Sequence, residues 1–272
     1  MRQLVHSLPE GEPVCGVTLL TGELYLLRAR KERDQVEVFD VTSYRLLRCL
    51  TVPDIGSVTD ITSCIHYRCV YIGNHSGECV HRLDVQGAFF TRWTVNDKPR
   101  CLSVNAAHNV IVACPFVRKI KEFSSHGDLL RNITIPDDVI DPRHAIQTRS
   151  GQFIMCHGDR SNPVHRVCMI SADGRHIVHS LGRRPGSDTS QYDWPQHLAV
   201  DNNEFVFVAD INNHQVTLLS PTLEDARQVV SRQQLKGPPN RLYLDTQQRL
   251  LYVALRVWID NEYKGRVAVF SV

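Results

Sequence analysis

The fold is decided by four short runs in one stretch of the chain: Pro195-Gln-His-Leu-Ala-Val-Asp201, Phe205-Val-Phe-Val-Ala-Asp-Ile211, Gln215-Val-Thr-Leu-Leu-Ser220 and Ala226-Arg-Gln-Val-Val-Ser231. Each run is rich in apolar and β-branched residues and is bounded by Asn, Asp, Pro or Gly, which is the pattern of short strands joined by turns. The stretch therefore predicts a four-stranded antiparallel unit.

The same unit recurs along the chain with a period of roughly forty to fifty residues, which is typical of repeat architectures. Six innermost strands are predicted at 14–20, 58–64, 99–105, 142–148, 195–201 and 240–246. Because one such unit leaves its faces and edges uncovered, a radial arrangement is favoured, as in WD40-like propellers. The sequence predicts an all-β, six-bladed β-propeller of four-stranded antiparallel blades.

The two ends of the chain complement each other. The run Arg266-Val-Ala-Val-Phe-Ser-Val272 reads as a third strand with no fourth after it, and residues 2–9 read as a strand without a sheet. We expect strand 2–9 to pair with the C-terminal blade and close the ring. The prediction is one propeller domain over residues 1–272, with blades at about 14–52, 58–95, 99–135, 142–182, 195–231 and 240–272 plus 2–9.

Composition agrees with a globular chain: 42% of the residues are hydrophobic, 22% are charged, and the net charge is +2. No apolar run approaches the ~18 residues that a membrane span needs, and no signal peptide is visible, so a cytoplasmic chain without membrane contact is expected. The nine cysteines form no CxxC pair. Six of them fall in or beside apolar strand runs, where free cysteine behaves as a small buried hydrophobe: Cys64, Cys69, Cys79, Cys114, Cys156 and Cys168.

The run Pro195–Val216, with its Pro-x-His-Leu-Ala-Val-Asp and Val-Phe-Val-Ala-Asp-Ile-Asn-Asn-His motifs, resembles an NHL repeat. Pro142-Arg-His-Ala-Ile146 keeps part of the same pattern, and the other blades keep its hydrophobic spacing. The chain thus resembles the six-bladed NHL propeller at the C-terminus of tripartite-motif (TRIM-NHL) ubiquitin ligases. That resemblance implies a platform that binds RNA or a protein on one face. The RING, B-box and coiled-coil segments of those ligases are absent from the 272 residues, so ligase activity is not expected of this chain.

Strand direction predicts which residues share that face. The connections into each first strand and from each second strand to the third lie on the same side, which we call the loop-bearing face. A protein or peptide partner is the favoured ligand there, because aromatic and arginine residues on rigidly held loops are common interface anchors. The candidate contact residues are Arg100, Arg118, Arg143, Arg160, Tyr192, Trp194, Arg241, Arg256 and Trp258.

Single-stranded or stem-loop RNA is the alternative ligand for this face. Affinity for RNA comes largely from neutralised phosphates and stacked bases, and a net charge of +2 is small for that purpose. The isolated domain is expected to be monomeric.

A third hypothesis places a metal-dependent lyase or lactonase-type hydrolase in the central channel. Aligning one early position of each first strand gives a ring of six channel-lining residues: Cys15, Asp60, Cys101, His144, His197 and Arg241. The two histidines could contribute to a zinc site. The ring is poor in carboxylates, and motifs such as Gly-x-Ser-x-Gly and His-Glu-x-x-His are missing from the sequence. We therefore expect no cofactor, no metal and no catalytic residue, with a His144–His197 metal site as the alternative.

Overall fold

The chain forms six four-stranded antiparallel sheets in a computed structural model that describes residues 3–29, 35–53, 56–84, 90–158, 164–182 and 191–272. The strands of the first three blades are β2 (Val14–Leu20), β3 (Glu23–Arg28), β4 (Gln35–Asp40), β5 (Leu46–Thr51), β6 (Val58–Cys64), β7 (Cys69–Asn74), β8 (Cys79–Asp84), β9 (Phe90–Thr94), β10 (Cys101–Val104), β11 (Val110–Cys114), β12 (Lys119–Phe123) and β13 (Leu129–Thr134).

The other three blades contain β14 (Pro142–Gln147), β15 (Phe153–His157), β16 (Arg166–Ile170), β17 (Ile177–Leu181), β18 (Pro195–Val200), β19 (Val206–Asp210), β20 (Gln215–Leu219), β21 (Ala226–Val230), β22 (Pro239–Asp245), β23 (Leu250–Ile259), β24 (Glu262–Ser271) and the N-terminal β1 (Leu4–Ser7). The short helix α1 (Arg232–Leu235) links the fifth and sixth blades. The predicted fold class is confirmed, and in the described part of the chain no helix is long and apolar enough to cross a membrane.

Ring closure follows the predicted route. The sixth sheet has the order β1-β24-β23-β22, so the N-terminal strand is its outermost member. Leu4 pairs with Phe270 and Ser7 with Ala268, and beyond β1 a bridge joins Gly11 to Gly265. The strand is shorter than the predicted 2–9. Its pairing covers the outer edge of β24.

The hydrophobic core lies between the blades. Among the described residues, six apolar clusters each combine side chains of two neighbouring blades, including the cluster that joins the sixth blade to the first. Tyr252 and Val269 of the sixth blade, for example, pack with Leu24 and Leu26 of the first. Each apolar sheet face is therefore buried against the next sheet, and closure of the ring is what completes the core.

The cysteines behave as expected from their strand positions. None of the nine is in a disulfide, and the six predicted to be buried are buried. Cys64 and Cys69 pair across the β6–β7 hairpin without a disulfide. Burial raises the pKa of the Cys168 thiol to about 12, so this thiol stays protonated and packs as an apolar side chain.

Candidate interaction face and central channel

A shared irregularity at the start of the first strands shapes the axis of the molecule. In five blades the pairing of the first strand with the second shifts by one residue near its beginning, for example between Val58 and Asp60 and between Pro142 and His144. The same shift occurs in β2, β18 and β22. Such a bulge sets two residues of one strand against one of its partner. The first strands therefore contribute two successive rings of residues to the channel. The bulged residues lie at the mouth of the channel, and the next residue of each strand lies deeper, in what we call the inner ring.

The inner ring contains Gly16, Asp60, Cys101, His144, His197 and Arg241. Five of these resume the pairing with the second strand after the shift, and Cys101 begins the unshifted pairing in the third blade. The sequence alignment predicted Cys15 in place of Gly16 and was wrong at that position by one residue. A Cβ atom on Gly16 would lie 2.6 Å from both the backbone nitrogen and Cγ2 of Ile61, so this position has no room for a side chain.

The inner ring is held together by an ion pair across the channel. Asp60 is 1% exposed, and its Oδ1 accepts a hydrogen bond of 3.3 Å from Nε of Arg241. Its Oδ2 accepts the backbone N–H of Leu102 at 2.9 Å, and Arg241 also donates to the carbonyl of Thr59 at 2.6 Å. Burial by itself would raise the pKa of Asp60, but His197 and Arg241 outweigh it and lower the pKa to about 2. The pair therefore joins the second, third and sixth blades.

The two ring histidines are stacked and use their ring nitrogens for structure. Their ring centroids are 3.9 Å apart. His144 Nδ1 accepts the N–H of Leu198 at 3.2 Å, so its proton is on Nε2, which lies 3.2 Å from the carbonyl oxygen of Leu102. His197 Nδ1 accepts the N–H of Leu242 at 3.3 Å, so its protonated Nε2 faces Asp60 Oδ2 at 3.5 Å. Burial lowers the pKa of each imidazole, and both are neutral near pH 7.

This arrangement does not fit a metal ion, although Asp60, His144 and His197 bring ligand atoms within 4.8 Å of one another. Coordination through Nε2 would require its proton to move to Nδ1. In each histidine Nδ1 already faces a backbone N–H, so the move would bring two hydrogens together. The guanidinium of Arg241 beside Asp60 would also repel a cation. The geometry supports a structural role for the inner ring, whose side chains connect the blades through hydrogen bonds and an ion pair.

On the other side of the inner ring the channel widens into a cavity of about 280 Å³ that opens toward the opposite face. Its walls are formed mainly by residues of the first strands, both apolar and polar, and the polar side chains include Thr18 and Ser63. These hydroxyls are bonded to each other at 2.8 Å and, through Ser63, to the carbonyl of Leu19. The inner ring therefore separates this cavity from the loop-bearing face.

The structure divides the predicted contact residues into surface and interior groups. Trp258 is 60% exposed, Arg256 is exposed, and the Arg118 side chain is 41% exposed and pairs with Asp137. Arg100 and Trp194 are partly buried, and Arg160 lies outside the described residues.

Three of the predicted contact residues are buried. Tyr192 is fully buried in the cluster between the fourth and fifth blades, with its hydroxyl 3.3 Å from Oγ1 of Thr217. Arg241 belongs to the inner ring. Arg143 is 5% exposed, pairs with Asp141 and lies 5.2 Å from the ring centroid of Trp194. Tyr192 and Arg241 are therefore corrected from surface anchors to structural residues, because Tyr192 is packed between two blades and Arg241 is bound to Asp60 and Thr59 inside the channel.

A hairpin of the sixth blade carries an exposed aromatic group on the loop-bearing face. Strands β23 and β24 have ten residues each, whereas the second strands of the other blades have five or six. The turn residues Asp260 and Asn261 have φ values of 50° and 61°, as two-residue hairpin turns require. Trp258 faces Tyr263 across the hairpin with ring centroids 4.5 Å apart, and the guanidinium of Arg256 lies 3.7 Å from the Tyr263 ring centroid.

Sequence analysis did not select Tyr263. The available signal was its position opposite Trp258 across a two-residue turn, which is where cross-strand neighbours stack. A second exposed aromatic group, Phe116 at 65%, lies between the third and second blades, with Nζ of Lys98 5.6 Å and the His75 ring 5.9 Å from its ring centroid. The loop-bearing face thus presents two separate aromatic groups beside cationic side chains.

Comparison with known proteins identifies the architecture. No protein-family model matches the chain, and no curated protein sequence does. Among solved structures, hydrazine synthase of Kuenenia stuttgartiensis is similar with a TM-score of 0.66 at 14% identity, over 95% of each chain. Virginiamycin B lyase of Staphylococcus aureus gives 0.66 at 8% identity, over 98% of this chain and 100% of that one. The β-propeller domain of Cps50 (Swd1) from Myceliophteria thermophila gives 0.63 at 11% identity over both whole chains. At these identities the similarity shows a shared β-propeller fold.

Proposed function

We propose that this chain is a non-catalytic interaction module that binds a protein or peptide partner on its loop-bearing face. The observation that carries the proposal is the exposed group of Arg256, Trp258 and Tyr263, which we call the hairpin cluster. Trp, Tyr and Arg are the residue types that most often dominate the energy of protein interfaces. The cluster is held by β-sheet pairing, so little side-chain and backbone freedom is lost on binding.

The inner ring supports a non-catalytic role. Its two histidines use their acceptor nitrogens on backbone amides, and its carboxylate is bound to an arginine and to an amide. A general base needs a free acceptor within reach of its substrate. No observation of this site favours the lyase or hydrolase hypothesis, even though one similar structure is a lyase.

RNA remains the second candidate for the same face, and the hairpin cluster is the observation that favours it. Exposed Trp and Tyr rings can stack on unpaired bases, and Arg256 could meet a phosphate. Two of the cations predicted for this face are already paired with carboxylates: Arg118 with Asp137 and Arg143 with Asp141. Because RNA affinity depends on cations that are free to neutralise phosphates, this pairing favours the protein partner.

The test is a parallel selection of ligands from a random peptide library and a random-sequence RNA pool against the purified chain. Peptides are expected to be enriched, and Trp258→Ala should weaken the enriched peptides by about 2 kcal/mol, or roughly thirtyfold in Kd. Ile65→Ala is the control, since Ile65 is 70% exposed in the β6–β7 turn on the opposite face. Enrichment of RNA alone, or of peptides that bind both variants equally well, would refute the proposal.

A further inference from the structure

The bulged residues of the first strands form an outer ring at the mouth of the channel on the loop-bearing face. Its members are Cys15, Thr59, Arg100, Arg143, Gln196 and Asn240. Arg100 directly precedes β10, and its backbone N–H donates to the carbonyl of Ala113, so it occupies the corresponding place in the third blade. Arg100, Arg143 and Gln196 therefore stand in three consecutive blades.

Three members of the outer ring are bonded within the fold. Oγ1 of Thr59 donates to the carbonyl of Pro99 at 3.2 Å, and Asn240 donates to the carbonyl of Val14 at 3.0 Å, so each connects its blade to the next. Arg143 pairs with Asp141 and lies over the ring of Trp194. These contacts fix the shape of the mouth.

Arg100 and Gln196 differ from these neighbours. Gln196 is only 7% exposed, yet within the described residues its side-chain amide makes no hydrogen bond. Arg100 is partly buried, and its guanidinium likewise has no hydrogen bond or ion pair in the part of the chain that the structure describes. Neither residue contributes to the buried side-chain atoms that lack a hydrogen-bond partner, so both polar groups reach solvent at the mouth. Two donor groups on either side of Arg143 are thus available to a ligand.

Among the described residues, the side chains of Arg100, Arg143 and Asp141 at the mouth together carry one positive charge. Arg100 directly precedes β10, which packs against β14, the strand of Arg143. Burial, and next the positive charge of Arg100, lower the pKa of Arg143. Asp141 compensates one of the two guanidiniums. Arg241, one layer deeper, is compensated by Asp60. Such an arrangement destabilises the free protein, and a bound anion would relieve it.

We propose that Arg100, Arg143 and Gln196 form a receptor for a carboxylate group of the bound partner. The inference rests on the proposed function, since it names the chemistry of one part of the partner. A carboxylate carries one negative charge, which matches the surplus at the mouth, whereas a phosphate dianion would exceed it. Planar guanidinium and amide donors also match the two oxygens of a carboxylate. The carboxylate could come from an Asp or Glu side chain or from a peptide C-terminus.

The test measures the thermal shift and calorimetric affinity of the purified chain with four probes. These are a peptide blocked at both ends with a central Glu, the same peptide with Gln, an apolar peptide with a free C-terminus, and inorganic phosphate. At least one carboxylate peptide should raise the melting temperature, and the Glu and free-C-terminus peptides distinguish the two sources. Arg100→Gln should weaken binding of the active peptide at least tenfold, and Arg100→Lys should recover part of the loss.

A second readout separates this role from a structural one. In the absence of any probe, Arg100→Gln should melt at the same temperature as the unmodified chain or higher, because it removes a like-charge contact. Arg92→Gln on the exposed part of β9 is the matched control and should leave probe binding unchanged. Three results would each overturn the proposal. The Glu and Gln peptides bind equally and the peptide with a free C-terminus does not bind, or phosphate binds more tightly than either carboxylate peptide, or Arg100→Gln binds the active peptide with unchanged affinity.

The carboxylate-binding test and the peptide selection can fail independently of each other. Carboxylate binding that depends on Arg100, together with selected ligands that ignore Trp258, would refute the proposed use of the hairpin cluster and keep the receptor. Ligands that depend on Trp258, together with carboxylate probes that do not bind, would refute the receptor and keep the interaction module.

Discussion

Replacing Asp60 by Asn should be among the most damaging single changes to this chain, because it leaves the guanidinium of Arg241 buried without its counter-charge. The two side chains are 1% and 7% exposed and are joined at 3.3 Å. Removing one partner of a buried ion pair costs about 3–5 kcal/mol, since the remaining charge stays desolvated. At roughly 2–4 °C per kcal/mol for a chain of this size, the melting temperature should fall by about 6–20 °C.

The assay is a double-mutant cycle of Asp60→Asn, Arg241→Met and the two together, followed by chemical denaturation and thermal melting. The double variant should lose clearly less stability than the two single losses added together, because neither charge is then left alone. Arg48→Gln is the control, since its pair with Glu23 is partly exposed and should affect stability little. A single-variant loss no larger than the control's, or losses that add, would refute the role given to the ion pair.

Two further predictions concern pH and ring closure. The pKa of His157 is lowered to about 4, chiefly by burial, and burial also lowers the pKa values of His144 and His197. Because the pKa of His157 is lower in the folded than in the unfolded chain, the free energy of unfolding is highest above the unfolded pKa of about 6.5 and decreases as the pH falls toward the folded pKa of about 4. At pH 5, His157 alone should lower the free energy of unfolding by about 2 kcal/mol. Denaturation midpoints at pH 7.5 and pH 5 measure this, and equal midpoints would contradict it. Leu8→Ala should cost about 2–5 kcal/mol because Leu8 is 2% exposed in the cluster that joins the last blade to the first. Leu4→Ala in β1, where the side chain is 48% exposed, is the matched control, and equal losses in the two variants would argue against the closing contact.

Much of the fold could be predicted because its periodicity is local. The predicted strand run 205–211 contains β19 (Val206–Asp210), and the predicted first strand 14–20 coincides with β2 (Val14–Leu20). The alternation of apolar strand residues with turn residues is set by residues close together in the sequence, so the strands can be predicted from each short run by itself. The bulge between Val14 and Gly16 was not predicted, because the one-residue shift depends on pairing with β3. The consequence was the placement of Cys15 where the structure has Gly16.

The candidate site was harder to predict because burial depends on distant segments. Trp258 and Tyr192 are both aromatic residues in long connections, yet one is 60% exposed and the other is fully buried. The difference arises because Tyr192 packs between two blades, whereas Trp258 lies on the part of a hairpin that extends beyond its blade. Nothing in the local sequence separates these two environments.

The sequence by itself determined the number of blades, their antiparallel strands and the use of the N-terminus to close the ring, since each follows from hydrophobic periodicity and from unmatched strands at the two ends. Only the tertiary structure decided the chemistry of the axis. From the sequence, His144 and His197 could have been metal ligands or structural residues of the channel. The backbone amides of Leu198 and Leu242 in the following blades decide for the structural role, because they bind the Nδ1 atoms of the two histidines. These two contacts join residues 54 and 45 positions apart, and their geometry is fixed only when neighbouring blades pack against each other.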